Sequence, residues 1–109
     1  MSQVFDLSRQ LDKVIRDRPY RPYHEFLRIP AMSVGIYVIP AGGVDRQHPH
    51  KEDEIYYVVR GKAKMRLGAE ERSVQEGSVI FVEPDLEHRF FDIEQELVLL
   101  VVFAPAETS

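Results

Sequence analysis

Leu7, Leu11, Val14 and Ile15 recur at i, i+4, i+7 and i+8, which predicts one face of a short helix. Asp6 or Ser8 can cap that helix, and the Arg18-Pro19 pair stops it. Beyond Pro19 the pattern changes. Prolines at 19, 22, 30 and 40 forbid a long helix, and β-branched and aromatic residues gather between them. Met32 to Ile39 reads as a strand closed by Pro40-Ala41-Gly42-Gly43, and Glu54 to Val59 as another, followed by Arg60-Gly61 as a turn. From Lys62 to Leu67 the alternation is clean: Ala63, Met65 and Leu67 face inward while the basic residues face water. Glu70 to Gln75, Val79 to Val82, Leu86 to Phe91 and Glu96 to Phe103 complete the strand series. Short strands with turn residues about every ten positions predict an all-β antiparallel barrel or sandwich with an N-terminal helix. The expected division is a helix and leading strand over residues 1–30 packed on a barrel over 31–105, one structural domain overall.

The run Leu97 to Phe103 has no alternation, so both faces of that strand should be covered. One face lines the barrel, and a partner subunit or the N-terminal segment covers the other. Together with the aromatic-rich stretch Tyr20 to Phe26, this offers more apolar surface than one small barrel hides, and a homodimer is expected.

Composition narrows the function classes. A chain of 109 residues builds one core. Its net charge of −4, without a basic run, argues against nucleic acid as a partner. There is no cysteine, which removes disulfides and thiolate metal sites. Asp6 and Arg9 stand where a signal peptide would need apolar residues, and Leu97 to Ala104 is too short to cross a bilayer. The expectation is a soluble, cytoplasmic protein that does not engage a membrane.

The candidate chemistry lies in the histidines. There are only four, and His48-Pro49-His50 places two of them two residues apart, on one face of an extended segment. Glu54 follows across the short polar stretch Lys51-Glu52-Asp53, and a hairpin there returns it beside the two imidazoles. His88 opens a later strand, with Phe90 and Asp92 on its parity. Three neutral imidazoles and one carboxylate form an N3O set suited to one divalent transition metal, Mn, Fe, Ni, Co, Zn or Cu, better than to Ca or Mg. A six-coordinate ion would keep two positions open for water, dioxygen or a chelating substrate.

These residues carry a resemblance. Gly42, five residues, His48-Pro49-His50, three residues, Glu54, six residues and Gly61 is similar to the first motif of the cupin superfamily at every spacing. Gly77 through Asp92 resembles the second motif, with the third metal-binding histidine at His88. Three identities differ: Glu83 occupies the usual proline slot, Asp85 the glycine slot and Asp92 the asparagine slot. Glycine in that turn supplies a left-handed conformation, which Asp tolerates. The resemblance spans roughly Met32 to Phe103 and implies a conical antiparallel barrel (a jelly roll, or double-stranded β-helix) with the metal inside. Cupins include dioxygenases, decarboxylases, lyases, isomerases and non-catalytic binding proteins, so the resemblance does not choose a reaction.

Neighbouring residues are read more plainly. A lone His-x-His is often solvated loop, but the joint spacing with Glu54, Gly61, Gly77 and His88 argues otherwise. His24 is expected to be an ordinary strand or surface histidine, and Glu52 and Asp53 a solvated turn. Tyr56 shares parity with Glu54 and should point inward near the metal, where its phenol either packs or serves as acid or base. Phe90 is expected to pack. Arg46 can reach an anionic ligand at the barrel mouth or remain a surface charge. The expected function is a metal-dependent enzyme on a small oxygen-rich molecule, of dioxygenase or lyase/isomerase type. A non-catalytic small-ligand-binding or sensing protein is the alternative, and a purely structural metal the third reading.

Overall fold

The computed structural model describes residues 2–17, 22–45 and 49–108. A helix, α1 (Leu7–Asp17), precedes six antiparallel strands: β1 (Tyr23–Ile29), β2 (Met32–Ile39), β3 (Asp53–Leu67), β4 (Glu70–Gln75), β5 (Val79–Val82) and β6 (His88–Ala104). The sheet runs β1-β2-β6-β3-β4, and β5 pairs with the first half of β3 on the flank away from β6, as β4 does with its second half. Inward side chains from β2 through β6 share one core that includes Ile39, Tyr56, Met65, Val74, Val82, and Leu99. The sheet therefore curls around its own interior rather than lying open on one face.

The helix starts where Asp6 presents its carbonyl to the amides of Arg9 and Gln10. Leu7, Leu11 and Val14 pack on Ile36, Val38 and Val98, with Val14 fully buried. Ile15, expected on the same face, remains 45% exposed at the edge of that stripe. Its place is taken by Gln10, whose side chain lies 3.0 Å from His24 Nε2 on β1. His24 is thus an ordinary strand histidine that ties the helix to the sheet. The expected Arg18-Pro19 stop lies outside the described residues.

The Leu97–Phe103 run is covered throughout on its inner face and only in part on its outer face. Leu97, Leu99, Val101 and Phe103 line the core, and Val98 on the other face lies under α1. Leu100 and Val102 on that outer face are only half-buried.

Two expected interruptions are bends. Arg60-Gly61 does not end a strand: β3 continues through it, and its inward set changes from Glu54, Tyr56 and Val58 to Gly61, Ala63 and Met65. An extra residue shifts the side-chain parity while the pairing with β6 changes register. The expected strands Leu86 to Phe91 and Glu96 to Phe103 are likewise one strand, β6, which begins at His88 and in which Asp92 adopts φ 47°. There Phe90 and Ile93 are buried while Asp92 is exposed beside Lys64, so Asp92 leaves the inward parity of His88. Long strands bent at bulges serve both halves of a closed sheet, which short separate strands would do at the cost of extra turns.

Gly61 has φ 110°, and a Cβ built on it would meet the Glu96 carbonyl oxygen at 2.3 Å, backbone that cannot swing away. Gly42 shares a positive φ of 71° but faces open space. Gly61→Ala should therefore lower the urea midpoint clearly more than Gly42→Ala, since both meet backbone strain of about 1–3 kcal/mol and only the first adds a clash. Equal midpoints would show that the bend at Gly61 tolerates a side chain.

Candidate metal centre

Glu54 lies near the start of β3, flanked by β5 through Val82 and by β6 through Phe103. Its alternating register turns the carboxylate inward, and the residue is 1% exposed. After Val82 the chain turns through residues 83–87 and enters β6 at His88. Asp85 holds φ 64° in that turn, the left-handed conformation expected of the glycine slot. Its amide donates to the His50 carbonyl at 2.7 Å. One turn thus follows the strand paired with Glu54, bonds the backbone of His50 and delivers His88. That connectivity brings the three side chains together.

One ligand atom each from His50, Glu54 and His88 lie within 4.8 Å of one another. His88 Nε2 is 3.2 Å from Glu54 Oε1, and both side chains are 1% exposed. Neither Glu54 oxygen has a hydrogen-bond partner of good geometry among the described residues. A buried carboxylate beside two imidazoles, with its lone pairs unspent, fits a cation and little else. The donor set is N and O without sulfur, which suits first-row transition metals. The structure brings together three of the four expected ligands. His48 and Arg46 lie outside the described residues.

Surrounding contacts fix the imidazoles. His88 Nδ1 donates to the Leu86 carbonyl at 2.9 Å, which leaves Nε2 with its lone pair toward Glu54. His50 packs edge-on against Phe103, ring centres 4.9 Å apart. Tyr56 is fully buried, as its parity predicted, with its ring 6.0 Å from that of His88 and edge-on to Phe90 at 5.0 Å. Phe90 packs, as expected. Asp45 anchors this wall: it accepts from Tyr37 Oη and from the Phe90 amide, both at 2.9 Å.

Three residues near the site escaped the sequence reading. Glu52 was expected in a solvated turn with Asp53; Asp53 is exposed, but Glu52 is buried and accepts from Thr108 Oγ1 at 2.9 Å. The chain after β6 folds back over it and excludes water. On that returning segment Glu107 brings Oε2 to 3.3 Å from His50 Nδ1. Burial, with the negative charges of Glu54, Glu52 and Glu25 adding, pushes the Glu107 carboxyl up to about 7. Tyr23 on β1 lies directly over Gly35, where any Cβ would strike its phenol, and its buried oxygen has no hydrogen-bond partner among the described residues. Burial raises the Tyr23 phenol well above its ordinary range, and Glu107, Glu25 and Glu54 add to the effect. Spacing gave no signal for Glu107; the aromatic cluster Tyr20–Phe26 was the only hint of Tyr23.

Residues 35–103 match the family model of the cupin domain. The chain belongs to the cupin family. It is similar to an uncharacterized protein of Streptomyces coelicolor, 45% identical over 86 residues, which covers 79% of this chain and 82% of that one. Among solved structures, a conserved protein of Klebsiella pneumoniae with a double-stranded β-helix domain superposes with a TM-score of 0.79. It is 18% identical and covers 96% of this cupin and 91% of that chain. The DMSP lyase DddQ of Ruegeria pomeroyi superposes with a TM-score of 0.65 at 22% identity, over 70% of this cupin and 39% of that chain. The fold is thus the cupin double-stranded β-helix, with one helix before it. Among the described residues no helix is long and apolar enough to cross a membrane.

Two opposing effects act on His88. Burial lowers its pKa, but the Glu54 carboxylate beside it and the Leu86 carbonyl raise it by more, so the folded value stands above 6.5. This shift stabilises the metal-free fold fully below pH 6.5, and the contribution is lost as pH rises through the folded value. In metal-free protein, NMR titration of His88 should give a midpoint above 6.5, and Glu54→Gln should lower it. An unchanged midpoint in that variant would mean that the carboxylate does not act on His88.

Proposed function

We propose that the barrel holds one divalent transition metal through His48, His50, Glu54 and His88, and that this cupin is an enzyme acting on a small, oxygen-rich molecule. The observation that carries the reading is the buried convergence of His50, Glu54 and His88 within 4.8 Å. His48 joins them by its place in the His-x-His pair. The metal is Mn, Fe, Ni, Co, Zn or Cu; when bound, such an ion supplies Lewis acidity or dioxygen activation.

The chain's own residues do the remainder. Phe90, Phe103 and Val101 exclude water from the site. Tyr56, inside the barrel beside His88, holds or moves a proton at its phenol oxygen. Similarity to a lyase of the same fold supports the lyase/isomerase branch, while the N3O set supports a dioxygenase equally. Small carboxylates, diketones and phenols screened with the metal-loaded protein, in air and without oxygen, separate the two. Turnover in both atmospheres indicates a lyase or isomerase, and turnover only in air an oxygenase. Binding without turnover in either would make this a ligand-binding cupin.

The metal assignment makes its own prediction. His48→Ala, His50→Ala, Glu54→Gln and His88→Ala should each lower affinity by more than the ~10–100-fold typical of losing a neighbour of a ligand. Asp53→Asn, exposed in the same stretch, and His24→Ala should leave metal per chain unchanged. In the wild type, occupancy should fall as pH drops below ~6.5, because protons compete for the imidazoles. Loss of metal from the Asp53 or His24 variant, with retention in the others, would displace the assigned site.

We further propose that the protein is a homodimer. Ile55, Tyr57, Val79 and Phe81 lie 40–66% exposed on the outer face of β3 and β5. In the ladder they continue into half-buried Leu100 and Val102. This uncharged sheet face can meet a second copy of itself around a twofold axis. Sedimentation at micromolar concentration should give twice 12.7 kDa, and Phe81→Glu should halve it. A wild type that sediments only at 12.7 kDa would refute the dimer.

A further inference from the structure

We propose that Glu107 is a positioning residue for His50, holding its imidazole in the tautomer that presents Nε2 to the metal. The inference rests on the reading that His50 is a ligand, and it adds a residue outside both sequence motifs. Glu107 comes from the segment that follows β6 and crosses back over the site. Chain segments beyond the last strand usually fray unless they are tied down. This one is fastened at four successive points. The Ala106 amide donates to the Pro30 carbonyl at 3.3 Å, and the Glu107 amide to Ser33 Oγ at 3.0 Å. The Arg28 guanidinium donates to the Glu107 carbonyl, and Thr108 Oγ1 to Glu52 Oε2. Three anchors, Arg28, Pro30 and Ser33, lie on the β1–β2 hairpin, and one, Glu52, lies within the first motif, so the segment straps one to the other.

The strap leaves the Glu107 carboxylate with Oε2 3.3 Å from His50 Nδ1; the side chains are only 18% and 7% exposed. An ionised carboxylate accepts hydrogen bonds and cannot donate one. Facing Nδ1, it favours the proton there and leaves the lone pair on Nε2. At His88 the corresponding contact is a hydrogen bond, Nδ1 donating to the Leu86 carbonyl at 2.9 Å, where at His50 it is a carboxylate oxygen 3.3 Å away. Two imidazoles from distant parts of the chain are thus put in one tautomer by two acceptor oxygens, one from the turn before β6 and one from the strap after it. Glu107 is not among the residues whose ligand atoms lie within 4.8 Å of one another. It therefore touches His50 without joining that group of donors.

The test uses the full chain, with zinc as the probe, at about pH 8, above the range in which an ordinary imidazole takes up a proton. In the metal-free wild type, long-range proton–nitrogen NMR should show His50 with its hydrogen on Nδ1. Glu107→Ala should lose that preference and weaken zinc binding ~10–100-fold in competition with a chelator. Glu107→Gln, whose amide oxygen accepts the same bond, should keep the tautomer and most of the affinity. Finding the hydrogen on Nε2 in the wild type would overturn the proposal without any variant, including the case in which Glu107→Ala fails to fold. Equal loss in both variants would replace the hydrogen bond by a charge effect and also overturn it. If all three proteins bind zinc equally, the positioning role fails and the metal site stands. If none binds zinc while the tautomer responds as expected, the metal reading fails and the Glu107–His50 bond stands.

Discussion

A buried carboxylate with no hydrogen bond among the described residues is the constraint around which this barrel is organised. Glu54 sits in the middle of a sheet, paired on both flanks, where no described residue donates a hydrogen bond to its oxygens. Leaving such an ion uncompensated costs several kcal/mol, and one partner imidazole does not offset that cost by itself. Everything near it works toward compensation. The left-handed turn at Asp85 delivers His88 and bonds the His50 backbone, and Asp45 pins Phe90 two residues farther along β6. A cation held here would supply that compensation, and the three donors are placed to hold one.

That constraint also explains where the apolar mass lies. Phe103 and Tyr56 pack against the imidazoles, and Phe90 packs against Tyr56, so the ligand atoms sit in a low-dielectric wall. Surface ion pairs such as Lys62–Glu94 and Lys64–Asp92 decorate the outside of the bent ladder and add little to stability. The energetic weight is internal. α1 completes it by covering Val98, Ile36 and Val38, which the barrel cannot cover for itself.

Much of this was legible in the sequence because the governing periodicities are short. Two-residue alternation set Glu54, Tyr56 and Met65 inward, and the paired motif spacings named His50, Glu54 and His88 before any geometry was known. Asp85 in a glycine slot was readable because few residues accept a left-handed backbone. The misreadings share one cause: each depended on a partner distant in sequence. Arg60-Gly61 looks like a turn until the Glu96 carbonyl is seen to occupy the space a Cβ would need. Glu52 looks solvated until Thr108 returns to it. Ile15 lies at the margin of its stripe, and the choice between it and Gln10 was made by His24 on another element. Local pattern finds elements and ligands; it does not find what folds back over them.

The ladder between β3 and β6 carries a consequence for how the site comes into being. Its pairing joins residues nearest in sequence at Leu67 and His88 and most distant at Asp53 and Ala104. A ladder of this kind closes most cheaply from its near end, because each further pair then encloses little new chain. In that ladder His88 belongs to the near-end pair and Glu54 to a far-end one, while the Glu54–Val82 pair of β3 and β5 joins residues closer in sequence. The candidate ligands thus belong to both ends of one ladder, and the set is complete only where β5 and β6 are both in register with β3. Any ion held at this site would therefore meet the full set of donors only in the paired sheet, not in an isolated strand.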